Sequence, residues 1–227
     1  MNLPVCILAG GLGTRLGERV RDTPKPLIEV AGKPFLLHQL GLLRGAPRVV
    51  LCVGYLGERI EAALGYEQYG IELRYRYDDQ AGTAAAVRGA LPDLGERFFV
   101  LYGDTYLRID YAAVAAAAER WPALMTVLHN RGRWDAGNVE FRDGRVVRYE
   151  KGAPRMEWID YGLSVLTPAA LDSEEPDLAQ VFSRLAAAGQ LGGFEATKRF
   201  YEIGTPEALA ETKAFLSEIA ASAAPGS

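Results

Sequence analysis

The chain has 227 residues, 49% of them hydrophobic and 24% charged, a length and balance that fit one α/β domain or at most two small ones. Its net charge of −4 excludes broad, non-specific nucleic-acid binding, which needs a cationic surface, while leaving room for a small anion in a local basic site. No apolar run approaches the ~18 residues of a membrane span, and the first residues lack a basic segment followed by a long apolar one, so the expected location is the cytosol.

Taken in chain order, "VCILAG" (5–10) is a short apolar strand and "KPFLLHQLGLLRG" (33–45) has helical spacing. "RVVLCVG" (48–54) is strand-like, "LGERIEAALGYEQY" (56–69) helical, and "IELRYRY" (71–77) alternates like a strand. "GTAAAVRGAL" (82–91) predicts a helix, "RFFVLYGD" (97–104) a buried strand ending in a polar turn, and 111–121 an alanine-rich helix with Asp110 as its N-cap. From there the rhythm changes to consecutive strands: "ALMTVLHN", then a hairpin "GNVEFRDGRVVRYEKG" turned at Asp143-Gly144, then "EWIDYGLSVLTP". A helix near 175–189, a strand at "RFYEIG" and a helix from Thr205 to about Ala221 complete the chain, with residues 222–227 expected to fray. This pattern predicts a single α/β domain with a Rossmann-like, mixed but mostly parallel sheet flanked by helices. Its N-terminal half is expected to hold one ligand and its C-terminal half another.

The stretch "LAGGLGTRLGERVRDTPKPLIEVAGKPFL" (8–36) places a glycine-rich turn directly after the first strand, an arrangement that suits phosphate. A P-loop is absent, because no glycine is followed at the required spacing by Gly-Lys-Ser or Gly-Lys-Thr. A dinucleotide turn fits poorly: Gly11 and Gly13 supply two glycines, but Leu16 stands in place of the third, and Pro24 and Pro26 break the helix that fold needs. A triphosphate cradle accounts for more residues. Backbone amides of the Gly10–Thr14 turn are free of side-chain obstruction, Arg15 offers a fork of donors, and Lys25 is one flexible cation stiffened by flanking prolines. The two cysteines, Cys6 and Cys52, fall in apolar strands and read as small buried hydrophobes. With the isolated His38 and His129 they build no zinc or Cys/His catalytic pattern, and His38 reads as a surface or core residue.

"LAGGLGTRL" followed by "TPKPLIEVAGKPFL" resembles the N-terminal signature of the sugar-1-phosphate nucleotidyltransferases, the nucleotide-sugar pyrophosphorylases. The likeness continues along the chain. "QAGTAAAV" resembles that family's second nucleotide loop, "LYGDTYL" its metal-aspartate strand, "YEKG" its sugar-contacting hairpin and "YEIGTPEAL" its late metal-and-sugar segment. The resemblance implies the nucleotide-diphospho-sugar transferase fold and the Mg2+-dependent joining of a nucleoside triphosphate to a sugar 1-phosphate, with release of pyrophosphate. Such chemistry needs charge neutralisation and in-line alignment, not a protein nucleophile.

By that resemblance Leu8, Ala9, Gly10, Gly11, Gly13 and Thr14 cradle the nucleotide, Arg15 holds the departing pyrophosphate, and Lys25 sits between the reacting phosphates. Gln80, Gly82 and Thr83 face the base, although Gln80 and Ala81 replace the family's usual Pro-Leu. Asp104 is the expected magnesium ligand, at the end of a buried strand where an open α/β sheet places its site. Glu202 stands where the family has a second metal aspartate and reaches one methylene further. Gly137, Asn138, Glu150, Lys151 and Asp160 are assigned to the sugar phosphate. The short length, "IDYGLSVL" and "FYEIGTPE" look most like guanylyltransferases of heptose 1-phosphates, implying GTP and D-glycero-α-D-manno-heptose 1-phosphate. Mannose, glucose or N-acetylmuramate 1-phosphate with GTP, dTTP or UTP is the alternative. A non-catalytic nucleotide-binding relative would have lost Arg15, Lys25 or Asp104, and all three are present. Nucleic-acid and membrane partners are not expected, and a homo-oligomer through the last helix is compatible with the family.

Overall fold

The computed structural model describes residues 2–11, 13, 16, 22–78, 81–134, 136–152 and 156–223. The first strand, β1 (Val5–Leu8), carries no polar residue and lies inside the main sheet with a strand on either side. Two short strands, β2 (Glu29–Val30) and β3 (Lys33–Pro34), pair with each other and lead into helix α1 (Phe35–Leu42). The strand–helix rhythm then continues through β4 (Arg48–Val53), α2 (Gly57–Leu64), a short β5 (Glu67–Gln68), β6 (Ile71–Tyr77), α3 (Thr83–Leu94) and β7 (Phe98–Tyr102). The helix expected over 56–69 ends early because Gly65 turns into the left-handed region, at φ +63°, which frees Glu67 and Gln68 to pair with β6. β1 is parallel to both β4 and β7, and β4 is parallel to β6, so this half is the predicted parallel sheet.

The second half comprises β8 (Thr105–Tyr106), α4 (Tyr111–Ala117), β9 (Ala123–His129), β10 (Val139–Arg142), β11 (Arg145–Tyr149) and β12 (Trp158–Leu166). It ends with α5 (Leu178–Ala187), β13 (Leu191–Ala196), β14 (Tyr201–Glu202) and α6 (Pro206–Ala223). Asp110 caps α4 as expected, accepting the amides of Ala112 and Ala113 at 3.0 Å each. The β10–β11 turn has φ +50° at Asp143 and +74° at Gly144, the backbone of a type I′ hairpin. Strand β13 was not foreseen, because Gly192 and Gly193 replace the β-branched residues by which a strand is read.

The expectation of a mostly parallel sheet needs correcting here. β12 runs antiparallel to both β7 and β9, and in the order β10-β11-β13-β9-β12 only the β13–β9 pair is parallel. β10 also pairs with β12 at Val139–Trp158, so these five strands close on themselves as a small barrel at the end of the open sheet. The bend in β12 makes this closure possible. Its register against β9 shifts between Asp160 and Ser164, around Gly162 at φ +95°. Trp158 thereby reaches β10, while Leu163–Leu166 pair with β7.

Two apolar layers cover the sheet. Ile7, Leu51, Phe99 and Leu163 belong to one, with Leu36, Ile60 and Val114 from α1, α2 and α4. Cys6, Val50 and Val100 belong to the other, with Val87 and Leu185 from α3 and α5. A third cluster seats Leu209 and Leu216 of α6 against Val30, Phe35 and Ile203 of the same chain, which joins the C-terminus to the segment carrying Lys25. Among the described residues no helix is long and apolar enough to cross a membrane.

Closure of the barrel depends on backbone contact just ahead of β10 and β12. A Cβ added at Gly137 would lie 1.7 Å from the carbonyl oxygen of Met156. Gly137→Ala is therefore expected to force these strands apart and lower stability by about 1–3 kcal/mol, measured as a reduced urea midpoint with Gly89→Ala, on the exposed face of α3 with nothing within 4 Å of the added Cβ, as a control for glycine loss away from the contact.

Candidate active site

A cavity of about 420 Å³ opens at the C-terminal edge of β1, β4 and β7. Leu8, Ala9, Gly10, Gly11 and Gly13 line it from the first loop, Lys25 from the second, Gly82 and Thr83 from the start of α3, and Asp104 from the end of β7. This unites every predicted nucleotide residue that the structure describes; Thr14, Arg15 and Gln80 lie outside the described residues. Its volume falls within the range of small-molecule sites, ~300–1,000 Å³.

The position of the first loop follows from strand pairing. Beyond β1 the amide of Ala9 donates to Cys52 at 2.8 Å, and the amide of Gly103 donates to the Leu8 carbonyl at 2.9 Å. The chain is thus held between β4 and β7 up to the residue at which the glycines begin. Lys25 opens a 3-10 turn, Lys25–Leu27, with Pro24 before it in an extended conformation and Pro26 buried behind it. Its ammonium Nζ donates to Asp104 Oδ2 at 2.9 Å, with the two side chains only 13% and 25% exposed. A cation and an anion from segments 79 residues apart thus meet at the cavity wall. Gln39 braces the strand end, donating to the carbonyls of Tyr102 and Thr105 at 2.8 and 2.5 Å.

The α3 end is built differently. Gly82 has φ +114°, and a Cβ there would lie 2.4 Å from the Pro176 carbonyl, so the loop can close on the start of α5 only with glycine. That carbonyl accepts from Ala84 and Ala85 at 2.8 and 3.1 Å. Cys52 and Ala86 form apolar floor, while Asp78 and Asp177 join Thr83 in the lining. Sequence reasoning missed Asp78, Tyr102 and Asp177. Tyr102 was legible as the neighbour of Gly103-Asp104, whereas Asp177 reaches the site only through helix packing. Cys52 is buried as expected, its sulfur 3.5 Å from that of Cys6. His38 is structural, its Nε2 donating to the Val30 carbonyl at 2.7 Å.

The predicted sugar residues form a second group, carried by the barrel. Asn138 donates its amide to Trp158, accepts from the amide of Glu150 at 2.9 Å, and takes the amide of Asp160 on Oδ1 at 2.9 Å. Asn138, next to Gly137, thereby ties Glu150 to itself by backbone and Asp160 by its side chain. The Glu150 carboxylate turns to Arg148 on the exposed face, and Lys151 is exposed. Burial pushes the Asp160 carboxyl up to about 6, opposed by the Gly162 amide, at 2.9 Å, and the charge of Lys151. Tyr102 connects the two groups: it lines the cavity, and its phenol is held well above the usual range by burial and then by the charges of Asp160, Asp104 and Asp177. Glu202 pairs opposite Thr105, and the Ile203 amide donates to Asp104 at 3.0 Å. Its carboxylate folds over Gly204, to within 2.6 Å of where a Cβ would stand, rather than lining the cavity.

Residues 5–221 match the family of the MobA-like NTP transferase domain. The D-glycero-alpha-D-manno-heptose 1-phosphate guanylyltransferase of Campylobacter jejuni is 30% identical over 164 residues, 71% of this chain and 74% of that protein. The mannose-1-phosphate guanyltransferase beta-B of Xenopus laevis is 28% identical over 88% of this chain, which spans only 61% of that protein's length. The crystal structure of HddC from Yersinia pseudotuberculosis complexed with GMP-PN superposes with a TM-score of 0.80 at 25% identity, covering 94% of this chain and 99% of that one.

The partly buried Asp160 has a thermodynamic consequence. Its folded value of about 6 lies above the unfolded carboxylate value of ~3.9, so the folded state binds more protons between these limits and stability falls as pH rises through that window. Asp160→Asn keeps an acceptor for Gly162 while removing the charge. It is expected to stabilise the protein by about 1–3 kcal/mol at pH 7.5 and by little at pH 4, compared by urea denaturation at both pH values.

Proposed function

The chain belongs to the MobA-like NTP transferase domain family, among its sugar-1-phosphate nucleotidyltransferases, and on that premise we propose that it transfers a guanylyl group from GTP to D-glycero-α-D-manno-heptose 1-phosphate. The observation that carries nucleotidyl transfer is the 2.9 Å pair of Lys25 and Asp104 at the wall of a glycine-lined cavity. The heptose guanylyltransferase of Campylobacter jejuni and the Yersinia protein complexed with GMP-PN support the choice of base and sugar.

In this reading an oxygen of the sugar phosphate, already ionised at neutral pH, attacks the α-phosphorus in line. The new P–O bond forms as the bond to pyrophosphate breaks, and the leaving group carries away the electron pair. Two polyanions must approach for this, and the main barrier is their repulsion. Lys25 is suited to reduce it. Its stem is fixed by a proline-flanked turn, and Asp104 keeps the ammonium aimed along the cavity wall until phosphate oxygens replace the carboxylate as its partner. The glycine amides present donors without steric obstruction, and Arg15 is proposed to hold the departing pyrophosphate. The barrel residues Gly137, Asn138, Glu150, Lys151 and Asp160 are proposed to hold the sugar phosphate.

Asp104 is also proposed to hold Mg2+. Its carboxylate is a hard oxygen donor at the strand end; Glu202 is set opposite Thr105 by the β8–β14 pair but holds its carboxylate over Gly204, off the cavity lining. Magnesium binds through one or two carboxylates and retains water, so Asp104 as the protein carboxylate fits it; when bound, it would neutralise triphosphate charge. The substrates are cytoplasmic metabolites, and the proposed location is therefore the cytoplasm.

Pyrophosphate release with Mg2+ is expected to be confined to GTP with the heptose 1-phosphate in a grid of four nucleoside triphosphates against mannose, glucose and heptose 1-phosphates. Release with another pair would retain the transfer chemistry and discard this substrate. Lys25→Met removes the cation at the reacting phosphates and is expected to lower kcat by about 10²–10³-fold, read from the same assay at saturating substrates.

A further inference from the structure

We propose that Asp177 reads the base, its carboxylate accepting hydrogen bonds from the N1–H and N2–H2 groups of guanine; this rests on the guanylyl reading above and assigns the residue responsible for it. Asp177 occupies the N-cap position of α5, but its side chain makes no bond to the amides of its own helix; only its backbone carbonyl does, accepting from Gln180 at 3.0 Å. Instead Oδ1 accepts from Thr83, from the amide at 3.2 Å and the hydroxyl at 3.4 Å. The hydroxyl of Thr83 in turn accepts the first amide of α5, that of Leu178, at 2.8 Å. The two helices exchange caps, each first amide being satisfied by a side chain of the other.

This exchange has a consequence for the cavity. α5 does not need the Asp177 carboxylate, which is anchored through Oδ1 at the α3 end of the pocket, beside Gly82 and the apolar floor of Cys52 and Ala86. Among the described residues both side-chain hydrogen bonds to Asp177 end on Oδ1, none on Oδ2, and the residue lines the cavity. A carboxylate at neutral pH only accepts. Guanine offers two adjacent donors on its pairing edge. Adenine and cytosine place an acceptor beside a single amino group, and uracil and thymine place carbonyls on both sides of one N–H. Only guanine meets a carboxylate without setting a lone pair against it.

Calorimetric titration of the full chain with GTP, ITP, UTP and dTTP in Mg2+ tests this without reference to the sugar, inosine differing from guanosine by the N2 amine alone. Wild type is expected to bind GTP about tenfold or more tightly than ITP, and Asp177→Asn, whose amide can still accept from Thr83, to bring that ratio close to one. Asp172→Asn, at an exposed carboxylate ahead of α5 and outside the cavity, is expected to leave the ratio at its wild-type value. An unchanged ratio in Asp177→Asn overturns the assignment, as does a wild-type ratio near one, a result that does not depend on the variant folding. Tighter wild-type binding of UTP or dTTP than of GTP overturns the guanylyl reading itself and is seen in wild type alone.

Discussion

β1 is only four residues long and has its backbone taken up on both sides, by β4 and by β7. That constraint governs the site. A strand paired on both edges and covered on both faces has no room for loops along its length, so the glycine turn can emerge only where pairing ends, after Leu8. The same edge carries the ends of β4 and β7, which deliver Cys52 and Asp104 to the cavity. Lys25 arrives from outside the sheet and is fixed by its bond to Asp104 and by the packing of the following segment under α6. Since the ion pair is partly shielded from water, its electrostatic interaction is stronger than that of an exposed pair, and the same shielding would strengthen the attraction of Lys25 for phosphate.

The second half solves a different problem. An acceptor substrate has to stand against the first ligand while being held by other residues, and the antiparallel barrel supplies a separate rigid wall. The bend in β12 joins the two walls, because one strand pairs with β7 on the open-sheet side and with β10 on the barrel side. Asp160 stands just ahead of that bend and Tyr102 at the end of β7, so a partly buried carboxyl and a partly buried phenol mark the boundary between the two groups of residues. Desolvation of Asp160 raises its carboxyl to about 6, a local cost to stability at higher pH.

α5 connects the halves from above. Its first turn trades caps with α3 at the glycine-lined cavity, and one turn further along Ser183 donates to the Tyr149 carbonyl at 2.8 Å, next to Glu150 and Lys151. One helix therefore braces both the loop at Thr83 and the hairpin that carries the predicted sugar residues.

Much of this was determined by the sequence alone. The apolar run 5–8, the glycines after it and the proline-flanked lysine specify a strand, an unobstructed turn and a fixed cation through local chemistry, and Asp110 and Asp143-Gly144 specify a cap and a hairpin in the same way. Order along the chain placed Asp104 and Gly82-Thr83 at strand and helix ends, where the structure finds them. The sequence did not determine what depends on contacts between distant segments. A mostly parallel sheet was the natural expectation, because strand direction in the second half is decided by which edges meet, and barrel closure by one bend and a backbone contact at Gly137. Likewise Asp177 carries no local mark of a ligand residue. As an N-cap it would be expected to satisfy its own helix, and only the packing of α5 against α3 turns it to Thr83 and the cavity.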